Sequence, residues 1–206
     1  MDRLSRKTVF ELVLLACLAC ANVVSEVLGS GKAVVVAAGV VLWGSYLAWR
    51  GRREPGLWRK LLWPSKPQAQ GLALLAAFTG VGVLLSVLVG VLRGAWPPPA
   101  SFWLILVIYP VWGTAQQFLL NTVLAQQLRS LLPPGWAHFL AASGFAVAHA
   151  PDWPVVAATF PAALVWVWIY PRLPQLPLLG TAHGMVGTVF FYSVLGRDPA
   201  HALGRS

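Results

Sequence analysis

Two histidines and a short run of amides are the side chains of this sequence best suited to chemistry. His149 closes the segment FLAASGFAVAHAPDWP, four residues after Phe145, and His183 lies in LPLLGTAHGMVGTVFFY, ahead of Gly184 and Gly187. Gln116, Gln117 and Asn121 belong to a third segment, YPVWGTAQQFLLNTVLAQQLR. An imidazole titrates near neutral pH, so it can take a proton from water or return one. A carboxamide has no titratable site, but it can orient a water or donate to a developing oxyanion. Taken singly, each of these groups has a plainer role as an interhelical hydrogen bond worth about 0.6–2 kcal/mol. Histidines on two segments and a Gln-Gln pair on a third shift the expectation from packing toward a site.

The medium around that site follows from composition. The chain has 206 residues, 58% hydrophobic and only 10% charged, against about 25% charged in an average soluble domain. So little polar surface cannot coat a water-soluble globule, and a bilayer is the solvent that suits it. The formal charge of +9 does not indicate nucleic acid, because the bases lie between long apolar runs as topology signals do.

With about 20 apolar residues per crossing, spans are expected near 9–28, 33–49, 70–93, 101–131, 136–150, 153–170 and 175–195. The expected fold is therefore all-α, a polytopic membrane bundle of about seven transmembrane helices in the cell membrane. Residues 1–95 supply the N-terminal spans with a basic loop at 50–69, and residues 96–206 supply the core that carries the polar cluster. Met1 to Lys7 and the run behind them look like a signal peptide, but the run is long and contains Glu11 and Glu26, so it reads as a retained first span. On this layout eleven Lys and Arg residues fall on the N-terminal side, including Arg3, Arg129 and Arg172, and four fall opposite: Lys32, Arg93, Arg197 and Arg205. That asymmetry puts the N-terminus in the cytoplasm and the C-terminus outside.

In the fourth segment Gln117 and Asn121 share a helical face, with Gln116 turned about 100° away; Pro110 is expected to kink the helix or set off an entry turn. Trp43, Trp49, Trp58, Trp63, Trp96, Trp103 and Trp136 read as interfacial anchors. The 50–69 loop, with Leu57, Trp58, Leu61, Leu62 and Trp63 among its bases, suits a short helix lying on an anionic leaflet. Cys17 and Cys20 read as small packing residues, His138 as interfacial and His201 as a solvated tail residue. Small residues at Gly80, Gly82 and Gly90 permit close helix contact.

The order of polar elements resembles the CPBP family, the CAAX-prenyl-protease and bacteriocin-processing membrane proteins. Its motifs are Glu-Glu-x-x-x-Arg, then Phe-x-x-x-His, then His-x-x-x-Asn, and the correspondence covers about residues 101–195 of this chain. Carried over, the glutamates fall on Gln116 and Gln117, the arginine on Asn121 and the asparagine on Gly187, while Phe145, His149 and His183 match, and Phe145 and Gly187 are expected to bind substrate. The resemblance implies an intramembrane endopeptidase in which a glutamate activates water while histidines and asparagine position it and stabilise the oxyanion. The family has also been treated as metalloproteases. Here both carboxylates are amides, and a catalytic zinc wants three protein ligands where only His149 and His183 are on offer. No cofactor is expected.

Two repairs are open. His149 or His183 acts as the base while Gln116 or Gln117 holds the water, or an acid enters from elsewhere: Glu11, Glu26 or Asp152. The plainer readings make Asp152 a turn residue between Pro151 and Trp153 and the two glutamates uncharged, hydrogen-bonded packing residues. The expected functions are then an intramembrane endopeptidase with an altered site, acting on a membrane-embedded peptide or protein; a proteolytically silent relative that binds a membrane peptide or lipid; or, with least support because no internal repeat is visible, a transporter.

Overall fold

The computed structural model describes residues 5–63 and 66–199. Arg3, Arg205 and His201 lie outside these. Among the described residues the chain is helical without strands: α1 (Arg6–Leu28), α2 (Lys32–Arg53), α3 (Leu57–Leu62), α4 (Ala69–Leu92), α5 (Ser101–Gln117), α6 (Gln126–Arg129), α7 (Pro134–Val147), α8 (Trp153–Ile169) and α9 (Leu176–Val189). Among the described residues four stretches are long and apolar enough to cross a membrane: Arg6–Leu28, Ala33–Arg53, Ala69–Leu92 and Ser101–Arg129.

Local chemistry sets the helix ends. The Ser5 hydroxyl accepts from Thr8 N–H at 3.1 Å and caps the start of α1. Gly29 (φ 65°) and Gly31 (φ 79°) are both left-handed, which makes the Gly-Ser-Gly turn before α2 a place only glycine fills without strain. Pro110 sits inside α5 without ending it. The interruption comes later, where Phe118–Ala125 winds as a π-helix between α5 and α6; a second π segment, Phe190–Val194, continues α9. Hydropathy carries no sign of a wider turn, and neither segment was expected.

The chain packs as two compact units that interleave along the sequence. One comprises the chain up to Leu61 together with Leu119–Trp168; the other comprises Leu62–Phe118 and the chain from Ile169 onward.

In the first unit, α1 and α2 are tied by a buried polar cluster. The Glu11 carboxylate accepts from the Tyr46 hydroxyl (2.6 Å), Arg50 Nη1 (3.3 Å) and Gln127 Nε2 (3.0 Å). Gln127 in turn accepts from Thr8 at 3.0 Å. Glu11 is hydrogen-bonded as expected, but it stands in an ion pair with Arg50 where an uncharged packing residue was expected. Arg129, read as a topology charge, donates to His138 Nε2 (3.1 Å from Nη2) and to the Val167 carbonyl (2.8 Å). His138 is therefore pinned within the fold.

In the second unit α5 and α9 approach until their backbones touch. A Cβ at Gly180 would stand 2.0 Å from Thr114 Oγ1 and 2.5 Å from Thr114 Cα; one at Gly184 would stand 2.5 Å from Pro110 N, and one at Gly113 2.5 Å from the Gly180 carbonyl oxygen. Gly90 of α4 receives the Trp96 indole and Ser193 in the same way, whereas Gly80 faces open space. Beside this seam Phe102, Ile105, Val189 and Tyr192 form a buried apolar cluster. Asp198 closes its end by accepting from Ser101 Oγ at 2.6 Å and from the Tyr192 hydroxyl.

Several sequence expectations need correction. Trp49, Trp58, Trp63, Trp103 and Trp136 are exposed as anchors should be, but Trp43 is buried and Trp96 is turned onto Gly90. Cys17 and Cys20 are exposed free thiols, so they do not pack inside the chain. Leu57 and Leu61 of α3 are buried in the protein and are not presented to a lipid surface.

The seam makes a sharp expectation. Gly180→Ala or Gly184→Ala forces backbone apart and should destabilise by about 1–3 kcal/mol or more, read as a lower melting temperature in detergent micelles. Gly80→Ala should leave melting unchanged or raise it, since a helical glycine costs about 1 kcal/mol relative to alanine.

Candidate functional site

The α5–α9 seam positions the first half of the expected set. Gly113 and Gly180 lie about one turn before Gln117 and His183 on their helices, so the close approach brings those two side chains face to face. Gln117 is 0% exposed and His183 8%, with Gln117 Nε2 at 3.1 Å from His183 Nδ1. With the amide N–H donating, Nδ1 is the acceptor and the ring proton resides on Nε2. His183 is thereby set as a donor.

Gln116 is only partly buried, but its Oε1 is buried and has no hydrogen-bond partner among the described residues. The same holds for Oγ1 of Thr188, a fully buried residue of α9 that sequence reasoning passed over. Leaving such a group unmatched costs about 1–3 kcal/mol. Gly187, expected to bind substrate, lies against Tyr109: a Cβ there would meet Tyr109 Cε1 at 2.8 Å. The ring occupies the place that the resemblance gives to an asparagine side chain.

The first unit carries the rest: Asn121, Phe145 and His149. Asn121 is 0% exposed inside the first π segment. There the wider turn, and not the four-residue spacing, sets its direction. His149 follows the end of α7 and is partly buried, with its Nδ1 at 2.8 Å from the Phe145 carbonyl oxygen. A carbonyl only accepts, so Nδ1 carries the proton and the basic lone pair of the neutral ring is on Nε2. The Phe145 ring packs edge-on against the imidazole, centroids 5.2 Å apart, which makes Phe145 a support for His149 through both its carbonyl and its ring.

One further residue holds this corner. Asn22 of α1 donates from Nδ2 to the Ala148 carbonyl at 3.1 Å, fixing the turn immediately before His149. It is a polar side chain inside an apolar span, so the rule that singled out the glutamines would also have found it. Asp152 N–H donates to the His149 carbonyl at 3.1 Å, as its turn reading required. Of the acids considered as replacement bases, Glu11 is engaged by three donors, one of them a guanidinium, and is therefore occupied as a structural anion. Among the described residues no group of three or more His, Cys, Asp or Glu comes together as a metal-holding set.

No family model, curated protein or solved structure matches the chain.

The two histidines should be distinguishable by their tautomers. In ¹⁵N spectra of histidine-labelled protein, assigned by single His→Ala variants, His149 should carry its proton on Nδ1 and His183 on Nε2. Gln117→Glu should move the His183 proton to Nδ1, because a carboxylate at that distance can only accept.

Proposed function

We propose that the chain is an intramembrane endopeptidase of the CAAX-protease-like class whose general base is His149 rather than a glutamate. The observation that carries this reading is the Nδ1 contact with the Phe145 carbonyl, which leaves the basic lone pair on Nε2. His183, whose proton is held on Nε2 by the Gln117 amide, supplies a donor of the kind an oxyanion requires. The buried Gln116 Oε1 is an acceptor suited to a water or a peptide N–H. The substrate class is a membrane-embedded peptide or protein.

The membrane layout in this reading is the seven-crossing one, with the N-terminus in the cytoplasm of a cell-membrane protein. Six of the crossings are supported by the four long apolar stretches, by the shorter apolar α8 and by the unbroken run of α9 and its π segment from Leu176 to Val194, and the seventh falls on the 14-residue α7. The side assignment rests on the imbalance of Lys and Arg between alternate loops.

A second reading is favoured by one specific observation. Both positions that match family carboxylates are amides, and Gln117 spends its N–H on His183. In this second reading the site binds without cutting, and the chain holds a membrane peptide or lipid.

Comparing processed peptides in host membranes carrying wild-type protein or His149→Ala separates the two. Loss of a general base slows chemistry by about 10²–10⁴-fold, so a precursor should accumulate uncut in the variant and be cut when purified wild-type protein is added. If no peptide differs while the variant sheds a bound partner, the binding reading replaces the proteolytic one.

A further inference from the structure

The C-terminal end of α2 and the short α3 form a surface that the site does not use. Leu57 and Leu61, four residues apart, are buried, so the apolar face of α3 is covered by protein, while Trp58, Arg59 and Lys60 are exposed. The Trp58 indole rests on α2, where a Cβ at Gly51 would stand 2.9 Å from its Nε1. Arg52 and Arg53 are exposed at the end of α2, and the Arg53 guanidinium lies 4.7 Å above the exposed Trp49 ring. Four cations and two indoles are thus presented on a packed support and not on a mobile loop.

The acid that could cancel them is already spent. Glu54 takes two hydrogen bonds from the buried Arg50, at 2.8 and 2.7 Å. That guanidinium, with burial opposing it and the charges of Arg50, Lys7 and Lys60 adding to it, holds the Glu54 carboxyl below its usual range. The involvement of Lys7 shows that the start of α1 adds its charge on the same side. Both α1 and α2 are membrane-length and apolar, which puts this end of the unit at a membrane boundary, where tryptophan rings favour the headgroup level.

We propose that Arg52, Arg53, Arg59 and Lys60, flanked by Trp49 and Trp58, form a preformed binding surface for the phosphodiester headgroups of anionic phospholipid. Charge complementarity selects the lipid, and the rigid support makes the selection a property of the folded protein. The inference does not depend on the proposed peptidase activity.

The test uses the full chain purified from micelles containing equal phosphatidylglycerol and phosphatidylcholine, with co-purifying lipid measured by mass spectrometry. Wild type should retain phosphatidylglycerol preferentially, with the preference shrinking as salt rises. Each cation removed should weaken retention about five-fold, so R52Q/R53Q/R59Q/K60Q should fall to the ratio in the micelle while eluting and melting like wild type. If that variant does not fold, R52Q/R53Q and R59Q/K60Q separately should each show partial loss, and R52K/R53K/R59K should keep the preference. Equal retention in wild type and the glutamine variants overturns the proposal. So does complete displacement of the lipid by excess inorganic phosphate, which would make the surface a site for the free anion.

Discussion

The backbone contact between α5 and α9 is the constraint on which the second unit depends. Side chains normally keep helix axes 8–10 Å apart, and here Gly113, Gly180 and Gly184 remove them so that one helix lies on the peptide groups of the other. In an apolar solvent this approach is favoured by dispersion and not by the release of water. Its consequence one turn further on is that Gln117 and His183, both buried, meet at hydrogen-bonding distance. A larger separation would strand two polar groups in an environment where each unpaired group is costly.

The same pairing fixes what the site can do. A glutamate at position 117 would demand a proton from the imidazole, whereas the amide present supplies one, and the two arrangements give His183 opposite tautomers. His149 receives its own tautomer from a main-chain carbonyl, an acceptor that substitution at Phe145 alters only by moving the backbone. Each histidine is therefore committed by its partner, one to accepting and one to donating. In the proposed chemistry an imidazole of fixed tautomer replaces the tuned carboxylate.

Much of the helical layout was legible because it rests on local properties. Long apolar runs give membrane-length helices, Gly29 and Gly31 break the first two apart, and Pro151 falls in the turn that separates α7 from α8. Histidines and amides in such runs are conspicuous, so Gln117 and His183 could be nominated from sequence. What was not legible depends on partners far away in the chain. Glu11 meets Tyr46, Arg50 and Gln127 across 35 to 116 positions, Asn22 meets Ala148 across 126, and Tyr109 fills the space at Gly187. The inward turn of Trp43 and of Leu57 and Leu61 reverses a reading drawn from residue type alone, since an amphipathic stretch does not reveal whether protein or lipid receives its apolar face. The π segment around Asn121 has no known signature in hydropathy and changes the face on which that residue is read.

The central claim is that the His149 imidazole is the base of a peptide-cutting reaction, and chemical rescue examines it most directly. Purified wild type and His149→Gly would be placed in vesicles with a precursor that accumulates in cells lacking His149, and cleavage followed with and without added imidazole. The expected result is cutting by wild type, silence in the variant and partial recovery when free imidazole enters the vacated space. A precursor left intact by wild type, or cut by His149→Gly at the wild-type rate without imidazole, would contradict it.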